Sequence, residues 1–128
     1  MKYRIVTNNP KVFDKFGKTH DVAYHDVSSK VILRIVSDYV KEGYSLLNHP
    51  LYGSVKPNET PYRTILIAEE GSTPLSVSND ESSKMMFKAK TTFEKFTEQE
   101  EISDVSLLED YQVVDLALAT SAVDAADR

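Results

Sequence analysis

The chain has no cysteine among its 128 residues. That excludes thiol catalysis, a disulfide framework and cysteine-ligated zinc or iron–sulfur centres within it, and it suits a reducing compartment. No apolar stretch approaches the roughly 20 residues needed to span a bilayer. The opening Met1-Lys2-Tyr3-Arg4-Ile5-Val6 has too short an apolar run for a signal peptide and reads as a strand. A soluble cytoplasmic protein with no membrane contact is expected. His20, His25 and His49 lack metal-ligand spacing, so no metal site is expected. Neither a Gly-x-Gly-x-x-Gly nor a Gly-x-Ser-x-Gly element occurs. Gly53-Ser54-Val55-Lys56 is not a phosphate loop, because one glycine precedes two prolines and a strand rather than a helix. No cofactor is implied. There is no basic run and the pI is about 5.2, so nucleic acid is not an expected partner.

What is present fits one domain. The hydrophobic fraction is 41%, enough for a core without a disulfide or metal. The net charge of −5 is unevenly spread: residues 1–68 carry a balance of +4 and residues 69–128 a balance of −9. An anionic ligand therefore suits the first half, and an acidic solvated face suits the second.

Tyr3 to Thr7 reads as a first strand. Asn9 and Pro10 are a good N-cap and first helical residue, because Asn accepts an orphan N–H and Pro has none to offer. A short helix through Phe16 follows, with Val12, Phe13 and Phe16 inward and Gly17 ending it. Asp21 to Asp26 is the second strand. Val31, Ile32, Ile35, Val36, Tyr39 and Val40 recur at helical spacing up to Gly43. Tyr44 to Leu47 and Thr64 to Ala68 are the third and fourth strands. Ser78-Asn79-Asp80-Glu81 starts a helix with an apolar stripe of Met85, Met86, Ala89, Phe93 and Phe96. Ser106 with Glu109 offers a capping box for a last helix, with Leu107, Tyr111, Val114 and Leu118 on one face and a frayed tail from Ser121. The order β-α-β-α-β-loop-β-α-α points to a small three-layer α/β sandwich with a mostly parallel four-stranded sheet. Residues 1–70 form its βαβαββ core and 71–128 its two C-terminal helices and tail. The direction of the fourth strand stays open. With the second strand on one side of the first and the third on the other, a crevice would form at the carboxyl ends of the first and third strands.

Residues 48–63, between the third and fourth strands, hold three of the five prolines and most side chains suited to chemistry. A connection this long in a compact domain points to function. Asn8, Asn9, His49, Ser54, Lys56, Asn58 and Arg63 are the candidate ligand-binding residues. A strand-to-helix turn suits an anion, and the Arg63 fork suits a carboxylate or phosphate. His49 and Glu59 are the candidate acid/base pair of an enzyme.

Two of these segments carry a resemblance. His49-Pro50-Leu51 with Gly53-Ser54-Val55-Lys56-Pro57-Asn58-Glu59-Thr60-Pro61-Tyr62, together with Thr7-Asn8-Asn9-Pro10, resembles the GrdX family. These are small proteins encoded beside components of glycine, sarcosine and betaine reductases in amino-acid-fermenting anaerobes. Tyr52 stands where a small residue is expected. The resemblance implies a genomic neighbourhood and a cytoplasmic, anaerobic setting, with no catalytic residues to carry over. Lacking cysteine and selenocysteine, the chain is not a redox-active subunit. Three readings follow: a small-anion-binding accessory factor, a small enzyme using His49 and Glu59, or an adaptor whose acidic C-terminal helices dock a reductase subunit or a second copy.

Overall fold

A computed structural model describes residues 3–51, 61–73, 76–94 and 104–128. Strand β1 (Arg4–Thr7) leads into helix α1 (Pro10–Phe16), then β2 (Asp21–Tyr24), α2 (Ser29–Lys41), β3 (Tyr44–Leu46), β4 (Thr64–Glu69), α3 (Asn79–Glu94) and α4 (Val105–Asp127). The four strands form one sheet in the order β2-β1-β4-β3.

Alternation along the strands builds two cores. On one face Ile5, Leu66 and Ala68 pack with Val12 and Phe16 of α1 and Ala119, Val123 and Ala126 of α4. On the other, Val6, Ile65 and Ile67 pack with Ile32, Leu33, Val36 and Val40 of α2 and with Met86 of α3. Each fully buried aliphatic side chain contributes about 1.5–3 kcal/mol relative to exposure. β4 supplies side chains to both faces and is therefore the spine of the molecule.

The sheet is mixed, which corrects the expectation of a mostly parallel one. β1 and β2 pair in parallel, but β4 runs antiparallel to both β1 and β3. β4 starts at the end of the sheet where β3 finishes, so it returns alongside β3 in the opposite sense. It fills the gap between β1 and β3 and replaces the expected open crevice with a strand.

The helix ends follow capping chemistry. Asn9 Oδ1 accepts from the Lys11 N–H at 3.0 Å, and Ser28 Oγ accepts from the Val31 N–H at 3.3 Å. Ser78 Oγ accepts from the Glu81 N–H at 3.1 Å. Asn79 then donates its side-chain amide to the Val40 and Tyr44 carbonyls, tying α3 to the turn between α2 and β3. Gly43 makes that turn at φ 108°, a backbone region in which other residues are strained.

Four local expectations change. Phe13 is 46% exposed and leans on Tyr24 rather than the core. The last helix is capped by Asp104, whose Oδ1 accepts from the Ser106 and Leu107 N–H groups, not by a Ser106–Glu109 box. The segment from Ser121 is helical to Asp127 and packs through Val123 and Ala126. The inward face of α4 is Asp115, Ala119, Val123 and Ala126, not the stripe through Leu107 and Val114. Small residues let α4 approach β4 and α1 closely, with Leu116 leaning on the same core, while Leu107 and Val114 are exposed and Tyr111 and Leu118 half-buried. In α3, Met86 and Ala89 are buried with Met85 and Phe93 beside them, so most of that stripe is core; Phe96 lies outside the described residues.

Candidate functional site

The two predicted polar turns each bond the start of β4, which stands between them. Asn8 follows β1 and is nearly fully buried. Its Nδ2 donates to the Val27 and Pro61 carbonyls, each at 2.8 Å, and its Oδ1 accepts from the Arg63 N–H at 2.8 Å. Asn48, just past β3, donates its Nδ2 to the Thr64 carbonyl at 3.3 Å, and its Oδ1 accepts from the Leu66 N–H at 2.9 Å. The Arg63 guanidinium donates to the Pro50 carbonyl at 3.0 Å. The departing chain at Pro50 and the returning chain at Pro61–Arg63 are thus fastened to one spot at the end of the sheet. A short asparagine side chain suits this task because it carries two donors and an acceptor on one rigid plane.

Beneath that spot lies a buried polar node. Asn9 donates to the Gln112 carbonyl and to Asp115 Oδ2, both at 3.0 Å. The Thr64 hydroxyl donates to Asp115 Oδ2 at 2.8 Å and shares a 2.8 Å bond with the Thr7 hydroxyl. Burial pushes the Asp115 carboxyl up, opposed by the Asn9 and Thr64 hydrogen bonds and by the Arg63 charge. Gln112 Nε2 donates to the Tyr62 hydroxyl at 2.7 Å, which fixes the returning chain to α4. Asp115 was not legible as a site residue: it looked like one more acid on an acidic helix. The available signal was its spacing with Ala119, Val123 and Ala126, three small residues suited to close packing.

The candidate residues therefore separate by role. Asn8, Asn9 and Arg63 come together as a buried frame, with Arg63 2% exposed. His49 sits at the surface, and its Nδ1 accepts from the Leu51 N–H at 3.0 Å. Ser54, Lys56, Asn58 and Glu59 lie outside the described residues, as does the His49–Glu59 pairing. At the same end of the sheet His25, just past β2, has a buried Nε2 with no hydrogen-bond partner among the described residues. The sequence reading did not single it out.

The opposite end of the sheet carries a cleft of about 560 Å³. Several of its polar groups satisfy one another. Asp127 accepts from the Tyr3 hydroxyl at 2.7 Å and bonds His20 Nε2 at 3.0 Å, while His20 Nδ1 meets the Thr19 hydroxyl at 2.8 Å. Arg4 pairs with Asp21 at 2.9 Å and donates to the Tyr39 hydroxyl. Burial would raise the Asp127 carboxyl, but the His20 and Tyr3 hydrogen bonds outweigh it and hold it below its ordinary value. This network latches the end of α4 to the start of β1.

Among the described residues no group of three or more His, Asp or Glu is placed to hold a metal ion. Nor, among these residues, is any helix long and apolar enough to cross a membrane.

No curated protein and no solved structure matches the chain. The family model described as GrdX-like protein matches residues 4–124, nearly the whole length, including the buried frame around Asn8 and Arg63 and the helix that carries Asp115. The chain belongs to the GrdX-like protein family.

Proposed function

We propose that the protein is a small-anion-binding accessory factor of the glycine, sarcosine and betaine reductase system, acting in the cytoplasm. The observation that supports this is the fastening of both ends of residues 51–61 to one buried frame. Asn8 bonds Pro61 and Arg63, and Arg63 bonds Pro50. Such a frame costs three buried polar side chains, each of which needs its partners. Fixing where the segment that contains Ser54, Lys56 and Asn58 leaves and rejoins the fold is a use for it. The +4 balance of residues 1–68 favours an anion. In this reading Asn8, Asn9 and Arg63 position the segment, while Lys56, Ser54, Asn58 and His49 touch the ligand. A carboxylate or a phosphate is the expected ligand chemistry.

The test is a thermal-shift and calorimetric titration with glycine, sarcosine, betaine, acetyl phosphate and inorganic phosphate. A ligand at about 100 times its dissociation constant adds roughly 2.7 kcal/mol of stability. Lys56→Ala, which alters none of Asn8, Asn9 and Arg63, should abolish that gain. If no compound in the panel stabilises the protein, or if Lys56→Ala responds like the wild type, anion binding by this segment is rejected.

A further inference from the structure

We infer that the flank of α4 carrying Leu107 and Val114 is a docking surface for a protein partner that presents an apolar strip bordered by Lys or Arg. Asp115, Ala119, Val123 and Ala126 recur every three or four residues and are the residues pressed inward. Leu107, Tyr111, Val114 and Leu118 recur at the same spacing on a strip about a quarter turn away. Leu107 is 42% exposed and Val114 56%, with Tyr111 and Leu118 half-buried between and beyond them. Leu116 leans on the core beside the small inward residues, so Leu107 and Val114 are large apolar side chains that the helix's own core does not take up.

Charge selects the occupant. Residues 105–127 contain no Lys or Arg. Asp110 lies three residues after Leu107 and four before Val114, on the border of the strip, and is exposed. Lys15 reaches α4 at Thr120, on the far flank. A second copy would set acid against acid, and an anionic membrane would be repelled. An apolar strip with a basic border satisfies both the uncovered side chains and the charge. This inference goes beyond anion binding, uses none of the residues fastened at the other polar segment, and can fail or succeed independently of it.

The experiment uses the full chain and two synthetic amphipathic helical peptides with the same leucine face, one bordered by lysine and one by glutamate. Fluorescence anisotropy should show the lysine peptide binding about tenfold tighter or more, with affinity falling as salt rises. Leu107→Gln with Val114→Gln should weaken it about tenfold at an unchanged circular dichroism spectrum and urea midpoint. Asp110→Lys should weaken the lysine peptide and strengthen the glutamate one. Equal binding of the two peptides, no binding of either, or indifference to these substitutions overturns the proposal. So does sedimentation showing a dimer that Leu107→Gln with Val114→Gln converts to monomer, because the occupant is then a second copy.

Discussion

Asp115 on α4 accepts the hydroxyl of Thr64, the first residue of β4, at 2.8 Å, across 51 positions of chain. The same oxygen receives the Asn9 amide. One carboxylate therefore joins the last helix, the central strand and the first helix cap. Removing it strands two donors and takes a compensating charge away from Arg63. Asp115→Ala should cost about 2–4 kcal/mol in urea unfolding. Asp115→Asn should cost less, since its oxygen still accepts from Thr64.

The same residue gives a pH test. Its folded carboxyl titrates above the ordinary range because burial outweighs the three opposing influences. The folded state thus holds this proton more tightly than the unfolded chain. The stability it contributes is fully present below the unfolded pKa and declines as pH rises through the raised folded value. The penalty of Asp115→Ala should therefore be larger near the acid end of that window than at neutral pH. Paired urea titrations across the window check it; a penalty that grows with pH would contradict the assignment.

Asn8→Ala should destabilise by about 2–4 kcal/mol, because the Arg63 N–H and two carbonyls lose buried partners. Asn8→Asp should be no milder. A carboxylate keeps the acceptor for Arg63 but faces the Val27 and Pro61 carbonyls with no donor. Hydrogen exchange at the Arg63 amide should speed up in both variants before global unfolding does.

The Tyr3–Asp127–His20 latch titrates the other way. Asp127 is held below its ordinary value. Its contribution is present above the unfolded pKa and lost as pH falls through the folded one. Asp127→Asn should lower the urea midpoint at neutral pH, and the gap to wild type should close in acid. The effect is small, since the aspartate side chain is 46% exposed.

Two glycines should respond to alanine for different reasons. At Gly43 nothing lies within 4 Å of an added Cβ, so Gly43→Ala costs only backbone strain, about 1 kcal/mol. At Gly17 the backbone is ordinary, but an added Cβ would sit 2.5 Å from the Phe13 carbonyl oxygen. That clash with backbone forces the end of α1 to shift, and thermal unfolding should show the larger loss for Gly17→Ala.

The elements were readable where one periodicity dominated. α2 carries Ile32, Val36 and Val40 on its buried face, and both the pattern and the Ser28 cap are local. The strand order was not readable. It depends on where β4 goes after a long connection, and strand period alone does not say which neighbour a strand joins. The inward face of α4 was not readable from its apolar stripe, because close packing chose Ala119 and Ala126 around a satisfied carboxylate and left Leu107 and Val114 exposed. For the site, Asn8, Asn9 and Arg63 were legible as a polar gathering, but their part in the frame was not. That part depends on partners more than 50 positions away at Pro61, Arg63 and Asp115.

The place of β4 also sets a timetable for folding. Among the described residues β3 pairs with β4 alone, and β1 meets β3 only through it. Until Glu69 has left the ribosome, the nascent chain has a two-stranded β1–β2 fragment and an orphan third strand. Half of each core then lacks its floor. The protein must wait for its middle before its beginning becomes stable, and such long-range closure slows folding. A chain released before β4 is complete offers a bare strand edge to its neighbours, so truncation within residues 48–63 should yield aggregate rather than a smaller folded domain.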